Sequence, residues 1–254
     1  MLIHRNGNKE KIASEIYKHF PPHKIYIEPF FGAGGMFFLK PKAKYNYLND
    51  IDNEIVNVFN CIKDQKETLI NRIIETPVHE TILKKWVNNF ENDQIGAAVR
   101  FLYLSNMTMF SKGYCLKTGS NNAKENILKQ IEIYNNTLAN TIFANRDYKS
   151  FLNMYQFRHK ENERSKTLIY ADPPYLGTDN NYKNSFTKKN HIELQQTLID
   201  TGCMFAISEF LNDFVVKEAE KNNLNIIEII TRRVISTRKT EILITNFQTI
   251  KTLF

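Results

Sequence analysis

Short apolar runs alternate with stretches of helical periodicity, and this alternation narrows the fold more than any other feature of the chain. The runs are Lys24-Ile25-Tyr26-Ile27-Glu28, Tyr45 to Asp50, Thr141 to Ala144, Thr167 to Ala171 and Met204 to Ser208. Between them, Lys9 to Phe20 places Ile12, Ala13, Ile16, Tyr17 and Phe20 at helical spacing and stops at Pro21-Pro22. Met36 to Leu39 is expected to open a helix after a glycine turn; Ile55, Val58, Phe59 and Ile62 continue as another, and Ile192 to Ile199 as a third. Apolar runs too short for helices, separated by helices, are the mark of a parallel sheet covered on both faces. Leu224 to Thr231 and Glu241 to Phe247 lack an intervening helix and are expected to pair antiparallel across a basic loop. From Cys61 to about Asn140 the pattern changes. Ile70, Ile73, Ile74 and the stretch Ala97 to Leu104 look helical, and a polar loop with Gly113 and Gly119 fills Ser105 to Glu125. The reading is a helical subdomain, 61–139, inserted between sheet-forming segments 1–60 and 140–254.

A chain of 254 residues buries roughly 70–75% of its unfolded surface and needs no covalent staples. With 42% hydrophobic and 24% charged residues it is globular in composition. No apolar run approaches the roughly 18 residues of a membrane span, and the start, Met1 to Asn6, does not read as a signal peptide. Cys61, Cys115 and Cys203 are an odd count without CxxC spacing. Neither a disulfide framework nor a metal site is expected, and a reducing cytoplasm fits. Thirty-four Lys and Arg against 27 Asp and Glu leave a net charge of +7. The excess suits a polyanionic partner, although 25 Lys and 30 Asn also suit an AT-rich genome. Position says more: Asn180 to His191 holds Lys183, Lys188 and Lys189 without an acid, and Thr231 to Thr240 holds Arg232, Arg233, Arg238 and Lys239 without one.

Two constellations carry chemistry. Glu28-Pro29-Phe30-Phe31-Gly32-Ala33-Gly34 sets a glycine turn at the carboxyl end of the first strand, where a ligand can approach the backbone. No Lys-Ser/Thr pair follows, so a nucleoside triphosphate fits poorly. Asp50 ends the second strand about 20 residues on, where an acid accepts hydrogen bonds from ribose hydroxyls. Together they favour a ligand bearing a nucleoside. The second constellation is Asp172-Pro173-Pro174-Tyr175, directly after the apolar run. Two prolines remove two N–H donors, leaving a carboxylate, carbonyl oxygens and an aromatic face. Such a corner suits an NH2 group that donates both protons from a flat ring.

These motifs, in this order, resemble the D12, or alpha-class, Dam-type DNA adenine-N6 methyltransferases. The resemblance implies an α/β fold: a Rossmann-like sheet of seven strands, the last antiparallel, binding S-adenosyl-L-methionine, with 61–139 as the inserted target-recognition subdomain. Gly7 and Lys9 resemble the end of the family's N-terminal cofactor motif, with Asn8 where a second glycine is usual and Arg5 where an aromatic is. Asn145-Arg146-Asp147-Tyr148 is similar to the segment lining the cofactor adenine, which assigns Asp147 and Tyr148 to that site. Asn184-Ser185-Phe186-Thr187 resembles the family's NSF(T) segment, and Arg238-Lys239 match a basic pair before the last strand.

The resemblance further implies that Asp172 and the Pro173 carbonyl accept the two N6 protons of a flipped adenine, beside Pro174, while Tyr175 stacks on the base. Asp172 also borders the cofactor. A specific double-stranded DNA sequence is the implied partner, in a cytoplasmic enzyme of a bacterium or phage without a metal. Ser105, Asn106, Phe110, Lys112 and Asn121 are the candidates for base readout, and Asn184, Ser185, Lys188, Lys189, Arg238 and Lys239 for further DNA contact. Leu102 to Phe110 departs from the Dam pattern that touches GATC, so that sequence is not implied. The alternatives are an adenine-N6 methyltransferase acting on RNA, a protein methyltransferase, for which NPPY would be usual, and a non-catalytic binding module, which would be expected to lose Asp172 or Tyr175.

Overall fold

A computed structural model describes residues 1–4, 9–108, 115, 117, 122–154, 160–177, 186–234 and 237–248. Its centre is a seven-stranded sheet of order β3-β2-β1-β4-β5-β7-β6. The strands are β1 (Ile25–Glu28), β2 (Tyr45–Asn49), β3 (Thr141–Ala144), β4 (Thr167–Ala171), β5 (Met204–Phe210), β6 (Asn225–Val234) and β7 (Thr237–Thr245). The first five run parallel. β7 alone is reversed, pairing antiparallel with β5 and β6. Every residue of the central β4 is buried, as a strand covered on both faces requires.

The helices are α1 (Ala13–Tyr17), α2 (Asn53–Asp64), α3 (Lys66–Glu75), α4 (Glu80–Asn88), α5 (Gln94–Met107), α6 (Ala123–Leu138), α7 (Tyr148–Asn153), α8 (Lys160–Arg164), α9 (Lys188–Asp200) and α10 (Asp213–Lys221). Side-chain caps start several of them: Asp52 on α2, Asp93 on α5, a Thr187–Asn190 capping box on α9 and Asn212 on α10. Among the described residues no helix is long and apolar enough to cross a membrane.

Alternation along each strand divides the core in two. Tyr26, Leu48, Leu168, Tyr170, Ala206 and Leu243 meet residues of α1, α2, α3, α5 and α6. Ile27, Ile169, Ala171, Phe205, Ile207, Ile242 and Ile244 meet residues of α7, α9 and α10 on the other face. Two expectations change. Met36 to Leu39 form only single helical turns, such as Phe38 N–H to the Gly34 carbonyl at 3.0 Å. Gly34 at positive φ before the segment and Pro41 after it leave too few residues for a helix. The basic stretch 231–240 is strand rather than loop through 234 and again from 237, with Arg232 opposite Lys239 and Arg233 opposite Arg238. The expected start of the insert, Cys61, lies inside α2, where Cys61 and Ile62 share one core with Leu69, Leu102 and the sheet.

Candidate active site at the carboxyl edge of the sheet

Strands β1, β2 and β4 end side by side, and both motifs follow those ends. After β1, Gly32 (φ 54°) and Gly34 (φ 75°) adopt the left-handed conformation. A Cβ on Gly34 would fall 2.5 Å from Phe38 and 2.6 Å from Phe31, whereas one on Gly32 would meet nothing within 4 Å. The chain thus tucks Gly34 inward and leaves the Gly32 backbone open to a ligand. Asp50 fastens this turn: Gly32 N–H donates to Oδ2 at 2.6 Å, and Asp52 N–H to Oδ1 at 2.9 Å.

Asn49, which belongs to no motif legible in the sequence, is fully buried. Its amide donates to the Pro29 and Arg146 carbonyls at 3.0 and 2.9 Å, and its oxygen accepts the Arg146 N–H at 3.0 Å. Asn145 in turn donates to the Asp50 carbonyl at 2.8 Å. A single polar residue at the end of an apolar strand thus joins the glycine turn to the Asn145–Tyr148 segment. Phe30 packs 5.3 Å from the Tyr148 ring and 6.3 Å from Phe186, so three separate motifs share one aromatic cluster. Asp147 caps α7 by accepting the Ser150 N–H at 3.0 Å, and hydrogen bonding from the Ser150 hydroxyl and then its backbone holds the Asp147 carboxyl below the usual range. Ile51, next to Asp50, is 67% exposed and offers an apolar surface beside the turn.

Glu28, the first residue of the glycine-turn motif, ends β1. It is buried and accepts the Tyr26 hydroxyl at 2.8 Å. Burial pushes its carboxyl up to about 8, and the buried Lys40 ammonium is pushed down to about 8.

The Asp172 corner is a buried charge network. The Lys9 ammonium lies 2.7 Å from Asp172 Oδ1 and 3.3 Å from Glu241 Oε1. The Tyr175 hydroxyl donates to the same Glu241 oxygen at 2.7 Å. Lys9 also stands 4.6 Å from the centre of the Tyr175 ring, whose edge meets Phe210 at 4.6 Å. Lys9, expected at the cofactor motif, thus contacts Asp172, Glu241 and the Tyr175 ring. Burial pushes the Asp172 carboxyl upward against the pull of Lys9, and pushes the Tyr175 hydroxyl well above its ordinary value. Pro173 is buried, and Pro174 half-buried. Behind the corner, Glu209 accepts the Leu176 N–H at 3.2 Å and the Phe210 N–H at 2.8 Å. Burial raises its carboxyl to about 7. Sequence reasoning misses the Glu209 and Glu241 contacts, for which the one signal is an acid inside an apolar run.

The chain matches the model of the D12 class N6 adenine-specific DNA methyltransferases from residue 6 to residue 250. It belongs to that family. The DNA adenine methylase of Escherichia coli K12 is 25% identical over 210 residues, covering 75% of this chain and 72% of the relative. That of Vibrio cholerae O1 (O395) is 24% identical over 227 residues, covering 80% and 78%. Among solved structures, an rRNA methylase from Streptococcus thermophilus shows a loose likeness, with TM-score 0.39 and 11% identity over 93% of this chain and 96% of that one. The activity is adenine-N6 methylation of DNA, with S-adenosyl-L-methionine as methyl donor.

The DNA-facing candidates divide. Ser105 is buried, its hydroxyl donating to the Leu102 carbonyl at 3.1 Å. Asn106 donates to the Leu2 and Leu102 carbonyls at 2.9 Å each. Ser105 ties α5 to itself, and Asn106 ties it both to itself and to the N-terminal segment. Lys188 and Lys189 are exposed in the first turn of α9. Arg238 is exposed, and Lys239 lies 4.9 Å from the centre of the Phe210 ring. β5 ends at Phe210 opposite Glu241, while β6 and β7 stay paired for four further positions. The basic ribbon therefore projects past the sheet edge beside Tyr175. Gly7, Phe110, Lys112, Asn121, Asn184 and Ser185 lie outside the described residues.

Proposed function

We propose that the enzyme methylates one adenine within a specific double-stranded sequence, taking that base out of the helix into the corner between Asp172 and Tyr175. What carries the reading is the sequence Asp172-Pro173-Pro174-Tyr175 directly after β4, with the Asp172 carboxylate and the Tyr175 hydroxyl joined through Lys9 and Glu241, in a chain of this family. Adenine N6 is a weak nucleophile because its lone pair is delocalised into the ring. Asp172 and the Pro173 carbonyl would accept its two protons, turning the lone pair out of the ring plane, and Tyr175 would stack on the base. A sulfonium-bound methyl group supplies the electrophile when the cofactor is bound. Gly32 and Asp50 would hold the cofactor's polar groups, with Ile51, Phe30 and Tyr148 against its adenine. These residues fit a nucleoside: an open glycine backbone, a carboxylate and an apolar wall at the end of β2.

Extrusion of the base costs a few kcal/mol and exposes N6. Lys188, Lys189, Arg238 and Lys239 would bind phosphates, which position without reading sequence. The segment 61–139 would be the target-recognition region, with Phe110, Lys112 and Asn121, between α5 and α6 in the sequence, as the candidates for readout. A cytoplasmic setting in a bacterium or phage agrees with this reading. The test is transfer of a radiolabelled methyl group into random-sequence duplex DNA and into RNA. N6-methyladenine confined to one short sequence of duplex DNA supports the reading; label in RNA, or at adenines regardless of context, overturns it.

A further inference from the structure

Methylation of an amino group leaves a proton to dispose of. When the N6 lone pair bonds to carbon, nitrogen carries two protons and a positive charge, and one proton must leave to restore a neutral amine. Asp172 is the nearest acceptor in the reading above, but a protonated Asp172 can no longer accept two hydrogen bonds from the next amino group. The structure continues past it. Lys9, 4% exposed, bridges Asp172 Oδ1 at 2.7 Å and Glu241 Oε1 at 3.3 Å, and Glu241 is itself fully buried. Glu241 lies in β7 opposite Phe210, between Lys239 and Leu243, and receives the Tyr175 hydroxyl as well.

We propose that Glu241 is the sink for the reaction's proton, reached from Asp172 through Lys9. The inference rests on the function proposed above. Asp172 takes the proton from N6. Lys9 hands one of its three protons to the Glu241 carboxylate and takes the one on Asp172. Each N–H or O–H bond broken is matched by one formed, and the result is a carboxylate at Asp172, an ammonium at Lys9 and a carboxylic acid at Glu241. One ammonium between two carboxylates can accept a proton and remain an ion pair, so the corner stays close to neutral whether its ligand is a sulfonium cation or the neutral thioether that follows. The other titratable groups facing this trio are the hydroxyls of Tyr175 and Tyr170, both kept neutral by burial, and the carboxyls of Glu209 and Glu28. The last two have their own partners in the Leu176 and Phe210 N–H groups and the Tyr26 hydroxyl.

The arrangement makes an equilibrium prediction that needs no turnover. Calorimetry of the full chain with S-adenosylmethionine and with S-adenosylhomocysteine, in buffers of different ionisation enthalpy near pH 7.5, counts the protons bound with each. The neutral product analogue should bind with clearly more proton uptake than the cationic donor. Glu241→Gln keeps the shape, and should abolish that difference while weakening the donor about tenfold relative to the analogue, since a removed carboxylate no longer attracts the cation. Lys9→Met should shift the same ratio the other way, and decides the matter together with the wild-type proton count should Glu241→Gln fail to fold. Equal proton counts for both ligands, or an unchanged affinity ratio in a folded Glu241→Gln variant, overturn the proposal. Absence of binding of either ligand by the wild-type protein would instead overturn the cofactor site on which it rests.

Discussion

The carboxyl edge of the sheet and the helical layer α3–α6 are built by opposite rules. At the edge, Lys9, Glu28, Asn49, Asp50, Glu209 and Glu241 are all buried. The helical layer buries Leu69, Ile73, Leu83, Trp86, Leu102, Ile127 and Ile131, and one cation, Arg100. That cation is held in structural bonds. Its guanidinium donates to Glu54 at 2.6 Å and to the Trp86 and Asn89 carbonyls at 2.8 and 2.9 Å. Buried charge costs free energy unless it is paired. The helical layer contains it at one joint, whereas the edge concentrates it where a reaction can use it. Stability and chemistry are thus separable in this molecule, and substitutions should reveal the separation.

The largest effect is expected at the edge. Asp172→Ala should lower single-turnover methylation on the order of 10²-fold or more, the scale set by removing a charged acceptor, with a much smaller change in cofactor affinity. Turnover near that of the wild type would remove Asp172 from the chemistry. In the helical layer, Arg100→Ala should lower unfolding free energy by about 2–4 kcal/mol in a denaturant titration, through unsatisfied carbonyls and an unpaired Glu54. The rate per folded molecule should hold; a matching loss of rate would dissolve the contrast between the two regions.

Glu209 sharpens it further. Its carboxyl is raised to about 7 in the folded chain from an ordinary 4.5. A raised carboxyl holds its proton longer when folded, so its burden on stability is absent in acid and grows as pH rises from about 4.5 to 7. Glu209→Gln should remove that slope, on the order of 1–3 kcal/mol across the window, in stability measured against pH. A variant with the wild-type slope would mean that Glu209 titrates like an exposed acid. The smallest effect concerns Lys188 and Lys189. Replacing both with Ala should weaken target and scrambled duplexes equally and lower the salt slope by up to about 0.9 for each phosphate no longer neutralised. A change of sequence preference would transfer readout to α9.

The parallel strands, the reversed β7, the glycine turn and the Asp172 corner were all legible in the residues, because each is a local pattern: short apolar runs, glycines where a ligand approaches, prolines that strip donors. The helix expected after the turn failed, since Gly34 and Pro41 bound the segment too tightly. Ser105 and Asn106 turned inward because side-chain direction at a helix end depends on what packs there. Arg232-Arg233 and Arg238-Lys239 looked like a loop because their cations mask a strand period that cross-strand pairing restores. Asn49, Glu209 and Glu241 could not be read as parts of one site. Glu241 reaches Tyr175 only through the antiparallel register of β5 and β7, and Lys9 reaches both carboxylates from the other end of the chain. Local propensity is written residue by residue, but burial and pairing of charge depend on which distant segments the closed sheet brings within a hydrogen bond of one another.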